Sequence, residues 1–118
     1  MAQLKTFALL SGILAFTGNA KVLYVDSYGF SVENKVVIHS SPTDVWQHLI
    51  KDVDSWWPKD HSWFGKEGRF FIEPRAGGCF CEVSGDKSAE HMRISFVDPN
   101  RLLRMTGGLG PLQEMGMY

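Results

Sequence analysis

Several groups of side chains in this sequence have the types and spacing that chemistry needs. One is a carboxylate and an imidazole, Glu82 and His91, on the two arms of a β-hairpin pattern. If that hairpin turns symmetrically about Asp86 and Lys87, Glu82 stands opposite His91 and Phe80 opposite Arg93. A carboxylate facing an imidazole orients the ring and raises its basicity, which is how a general base is made. The same register puts Cys81 opposite Met92 and sets Ile94 and Phe96 on that second face. Apolar residues should face inward, so Glu82, His91 and Arg93 are expected outside as a solvated charge cluster. A slip of one residue would turn each of these side chains to the other face.

A second group is aromatic: Trp46, Trp56, Trp57, Trp63 and Phe64, with His61 among them. A concave apolar wall with a few polar handles is what a small-molecule site requires, and indole rings offer large contact area with one donor each. Trp46 falls on a helical apolar stripe and is expected to pin a helix to the sheet. Trp57, His61 and Trp63 sit near a loop and can serve packing or binding alike.

Cys79 and Cys81 form a third group. On a strand, alternate residues place both sulfurs on one face with α-carbons roughly 6.6 Å apart. A disulfide needs β-carbons about 3.5–4.5 Å apart, so small buried thiols are the expectation. Cys-x-Cys with His61 or His91 matches no strong zinc spacing, and neither a metal nor any other cofactor is expected. Phosphate-loop, His-Glu-x-x-His and Gly-x-Ser-x-Gly strings do not occur.

The elements that must position these groups follow from periodicity. Residues 31–39 alternate as a strand, with Val32, Val36 and Ile38 on one face. Ser41, Pro42 and Asp44 make a strong helix start, and Val45, Trp46, Leu49, Ile50 and Val53 form its apolar stripe. A short helix or turn at 54–57 must stop by Pro58. Strands are then expected at 69–73, 79–84, 90–97 and 101–106, separated by breakers at 74–78, 85–88 and 98–100. This order of strand, two helices and antiparallel meander is an α+β arrangement.

The N terminus reads differently. Lys5 is followed by an uncharged run over residues 6–20 that closes on Gly18-Asn19-Ala20, the pattern of an export signal over residues 1–20. That run is shorter than the roughly 20 residues that span a bilayer, so no stable membrane span is expected. Twelve basic against thirteen acidic side chains leave a net charge of -1, which offers no basic stripe for nucleic acid.

Three strings in their order resemble START-like (SRPBCC) proteins. They are Ser40-Ser41-Pro42-Thr43-Asp44-Val45-Trp46 with Trp56-Trp57, then Pro74-Arg75-Ala76-Gly77-Gly78-Cys79-Phe80, then Asp98-Pro99-Asn100-Arg101-Leu102-Leu103. The branch most similar holds polyketide cyclase/dehydrase-like proteins and homologues of heat-shock-chaperone ATPase activators. The resemblance implies a helix-grip fold, in which a curved antiparallel sheet wraps a long C-terminal helix around an apolar cavity. Two short helices follow its first strand. This chain stops before the last strands and that long helix, so the expectation is a partial START-like domain over 30–118, with a lead-in at 21–29. The uncovered sheet leaves self-association as one way to hide its apolar face.

The resemblance implies binding of a hydrophobic or aromatic small molecule, as a carrier in an exported, periplasmic or secreted setting. Trp57, His61, Trp63, Phe70, Ile72, Met92, Ile94 and Phe96 are the side chains expected nearest such a ligand. Two other functions stay open. A cyclase/dehydrase-like enzyme would use His61 first, ahead of Glu82 and His91, as its acid–base residue. An interaction module similar to chaperone-ATPase activators would need neither, and an export signal argues against its cytosolic partner.

Overall fold

The computed structural model describes residues 19–108 and 110–116, and the chain divides into two units after His39. Residues 1–18 of the expected export signal lie outside the described residues, and Asn19 and Ala20 open a strand.

The first unit contains a hairpin. β1 (Asn19–Val25) pairs antiparallel with β2 (Phe30–Lys35), from Asn19 opposite Lys35 to Val25 opposite Phe30, with Leu23 as an extra residue in β1. Asp26 shapes the turn, its Oδ1 accepting from the backbone N–H of Tyr28 at 2.8 Å and of Gly29 at 3.0 Å. The expected lead-in at 21–29 is therefore strand and turn, and the strand expected over 31–39 ends at Lys35. Val22, Tyr24, Val25, Phe30 and Val32 all remain more than half exposed. Among the described residues of this unit there are two strands, and a two-stranded hairpin buries little by itself.

The second unit begins with α1 (Pro42–Lys51). Ser41 caps it, accepting from the Asp44 N–H at 3.1 Å and donating its hydroxyl to Asp44 Oδ2 at 2.7 Å. Val45, Trp46, Leu49 and Ile50 make a half-buried stripe, while Gln47, His48 and Lys51 stay exposed. α2 (Val53–Trp56) follows and stops where Trp57 becomes extended ahead of Pro58. Two 3-10 turns, Lys59–His61 and Gly65–Glu67, lead to the sheet.

That sheet is an antiparallel meander of β3 (Arg69–Ile72), β4 (Cys79–Ser84), β5 (Lys87–Asp98) and β6 (Leu102–Thr106), neighbours in that order. A four-residue α3 (Gly110–Gln113) follows. The unit is α+β. Its core is Val53, Phe70, Ile72, Phe80 and Ile94, with Ile50, Trp57, Met92, Val97, Leu103 and Met105 packed against it. Between β3 and β4 the chain must double back tightly. Gly77 takes a φ of +79°, and a β-carbon on Gly78 would come within 2.8 Å of Glu73 Cβ.

A tighter turn than expected overturns the β4–β5 register, and two bulges interrupt the sheet. The β4–β5 turn has only Gly85 and Asp86 between Ser84 and Lys87, and Gly85 adopts φ +58°, as so tight a hairpin requires. Glu82 therefore pairs with Ala89 and Phe80 with Met92, where symmetry about Asp86 and Lys87 would give His91 and Arg93. Between Cys81–Glu90 and Phe80–Met92, β5 carries one residue more than β4: His91. A second irregularity at Ser95 lies between Ile94–Met105 and Phe96–Arg104. Beyond it Val97 packs on the core. Phe96 is 42% exposed, with the Arg104 guanidinium 5.3 Å from its ring centroid. Phe96 is thus on the face opposite Ile94 and lines no apolar cavity with it.

Candidate functional site

Glu82 is completely enclosed at 0% exposure, which a carboxylate tolerates only when its oxygens are occupied. They are. Oε1 accepts from the Ser62 hydroxyl and from the Phe64 N–H at 3.0 Å; Oε2 accepts from the Trp63 N–H at 3.1 Å and faces His91 Nε2 at 3.0 Å. Burial pushes this carboxyl upward in pKa. The Ser62 hydroxyl, the N–H groups of Phe64 and Trp63, and His91 together push harder the other way. Glu82 is held below the ordinary glutamate value and is ionised at neutral pH. An ionised carboxylate only accepts, so His91 Nε2 carries the proton of this hydrogen bond.

Local structure explains how both side chains turn inward. Glu82 shares the inner face of the sheet with Phe70 and Phe80, and the bulge lets His91 join Met92 on that same side. The imidazole lies 5.5 Å from the Phe70 ring and 5.2 Å from Phe80, centroid to centroid, while Trp57 meets Phe80 edge-on at 4.9 Å. The donor loop is held against Glu82 by close approach. A β-carbon on buried Gly68 would come within 2.7 Å of Ser62 Oγ and run into the Glu82 carboxylate. Lys59 Nζ then secures the start of β3 by donating to Asp54 Oδ1 at 2.5 Å and to the Gly68 carbonyl at 2.6 Å. Asp54 Oδ1 also accepts from the Phe70 N–H at 2.7 Å, and the Lys59 and Phe70 contacts lower its carboxyl pKa.

Beside this network opens a depression of about 420 Å³, walled by Trp63, Ala89, His91, Met92, Gly107 and Gln113 among others. Gln113 Nε2 donates to the carbonyls of Glu90 at 2.6 Å and Gly108 at 2.7 Å, which ties α3 to β5 at the rim. Trp63, Met92 and the buried His91 imidazole thus meet around this open depression with the polar residues Ser88, Glu90 and Gln113.

No family model, curated protein or solved structure matches the chain.

The expected site residues separate into four places. Trp63 and Met92 border the depression with His91. Phe70, Ile72 and Ile94 belong to the core, and Trp57 packs on it while donating from Nε1 to the His61 carbonyl at 3.0 Å. The His61 side chain is exposed and is not part of the depression wall. Phe96 stands on the far face.

Two expectations are corrected by the geometry. Glu82 and His91 are not a solvated cluster, because Glu82 alternates with Phe80 on the inner face of β4 and the bulge in β5 turns His91 to the same side; Arg93 alone stays outside, paired with Glu90 at 2.5 Å. Cys79 and Cys81 are not free thiols but a disulfide. Their α-carbons stand 5.4 Å apart, nearer than two regular strand rises, and both residues are half-buried.

Among the described residues no group of three or more His, Cys, Asp or Glu side chains could hold a metal ion. No helix there is long and apolar enough to cross a membrane. Ser62, Gly68 and Gln113 escaped the reading of the sequence. A small residue beside Trp63, a glycine just before a strand and an isolated amide give no periodic signal.

Proposed function

We propose that this protein binds an apolar or aromatic small molecule in the depression beside Glu82 and His91, as a carrier of START-like, helix-grip type. One observation carries the reading: Trp63 and Met92 wall an open volume of about 420 Å³ beside an enclosed carboxylate–imidazole pair whose carboxylate oxygens are all hydrogen-bonded. Burial of an apolar ligand there is worth roughly 25 cal/mol for each Å² removed from water. The charged and apolar pattern of residues 1–20 supports export, and the Cys79–Cys81 disulfide suits an oxidising compartment.

The test is a titration with the neutral fluorescent probe N-phenyl-1-naphthylamine, read by probe emission. Trp63→Ala should weaken binding about tenfold or more, because it removes the large ring of the wall. Trp56→Ala, a tryptophan outside the depression, should leave it unchanged. Equal affinity in the two variants would overturn the assignment. The enclosed Glu82–His91 pair favours a second reading, a cyclase/dehydrase-like enzyme in which His91 takes the place expected for His61 as base.

A further inference from the structure

Resting on the binding reading above, we propose that His91 offers its Nδ1 to the occupant of the depression as a hydrogen-bond acceptor. The ligand then carries a weakly acidic hydroxyl, a phenol or enol, on its apolar frame.

The argument starts from the two nitrogens of the ring. A neutral imidazole has one hydrogen to donate and one lone pair to accept with. The donor is already assigned, since Nε2 lies 3.0 Å from Glu82 Oε2 and that oxygen has no proton to give. In the neutral ring Nδ1 is the acceptor, and among the described residues the hydrogen bond of the His91 ring is the one from Nε2 to Glu82. Yet no buried side-chain nitrogen or oxygen there lacks a partner. Among the described residues Nδ1 therefore keeps open surface, and His91 borders the depression.

The surroundings select the partner further. His91 is 3% exposed and lies against the Phe70 and Phe80 rings, so a ligand donor meets it in a low-dielectric setting where a hydrogen bond gains strength. As the donor approaches, positive charge develops on the ring and is balanced by Glu82 behind it. If the proton transfers, it leaves the ligand oxygen for Nδ1, giving a ligand oxyanion beside an imidazolium–carboxylate pair; no other bond changes. A ligand carboxylate has no hydrogen to give and faces a second buried negative charge.

Three probes of one shape test this: 2-naphthol, 2-methoxynaphthalene and 2-naphthoate, titrated into the full chain by calorimetry. The naphthol should bind about tenfold more tightly than its methyl ether, the worth of one hydrogen bond, and 2-naphthoate most weakly. Equal affinity for the naphthol and the ether would overturn the acceptor role while leaving apolar binding standing. Preference for the naphthoate would overturn it in favour of a donating His91. Binding of none of the three would overturn the binding reading and this one with it. A second measurement needs no ligand: the ring ¹⁵N shifts of His91 should show Nε2 protonated and Nδ1 bearing the lone pair. The reverse tautomer sinks the proposal even if the naphthol binds.

Discussion

Two acid–base pairs share the β4–β5 hairpin. Glu90 and Arg93 meet at 2.5 Å on the outer face, with side chains 43% and 57% exposed. Glu82 and His91 meet at 3.0 Å on the inner face, with side chains 0% and 2% exposed. The chemistry of the partners is alike and the consequence is not. Outside, water and salt screen the attraction, and each partner keeps a good alternative in solvent. Inside, each partner has given up water, and three further donors from Ser62, Trp63 and Phe64 must be satisfied by one carboxylate. Enclosure raises the cost of disturbing a pair far more than it raises the net worth of forming it.

Breaking the inner pair should have the largest effect. Glu82→Ala strands an imidazole, a hydroxyl and two backbone N–H groups in the interior. It should cost about 3–5 kcal/mol of stability, measured by urea denaturation. A loss below about 1 kcal/mol would mean that Glu82 is not enclosed as described.

An acid titration of stability sharpens the contrast. The Glu82 carboxyl is lowered in the folded chain and returns to about 4.5 in the unfolded one, so below that value the unfolded state takes up protons first. The contribution of Glu82 is fully present above about pH 4.5 and is lost as pH falls through the lowered folded value. Asp54, lowered by Lys59 and the Phe70 N–H from 3.8, adds the same sign just below. Urea midpoints between pH 7 and pH 3 should therefore fall, and Glu82→Gln should flatten part of that fall. A midpoint that rises on acidification would reverse the assignment.

The smallest effect belongs to the outer pair. Glu90→Ala should change stability by about 1 kcal/mol or less, and the difference should shrink further in high salt. A larger, salt-insensitive loss would show that exposure does not separate the two pairs as argued.

Much of the scaffold was legible without coordinates. The Ser41-Pro42-Asp44 start, the stripe from Val45 to Ile50, the stop at Pro58 and the four-strand meander all rest on local rules of capping, periodicity and turn residues. The inward alternation of Phe70 and Ile72 is equally local. The site was not legible to the same degree. Its residues were in view, but Glu82 and His91 were turned to the wrong face, the cysteines were read as unpaired and Phe96 was placed inside. The tight Gly85-Asp86 turn moved the partner of Glu82, and strand irregularity moved His91 and Phe96. A bulge adds one residue to one strand and leaves no mark in hydrophobic alternation that a solvent-facing charge would not also leave.

The amino-acid order alone therefore determined α1 and the four strands of the meander, because those choices are made within a few neighbouring residues, whereas β1 and α3 were not read from it. Only the tertiary structure decided which faces of those strands meet. It brought Ser62, Gly68 and Gln113 to the site from distant positions and enclosed a carboxylate with an imidazole. Register between strands is settled by the packing of the whole sheet, and a polar side chain becomes a buried one only when residues far away in the chain supply its hydrogen bonds.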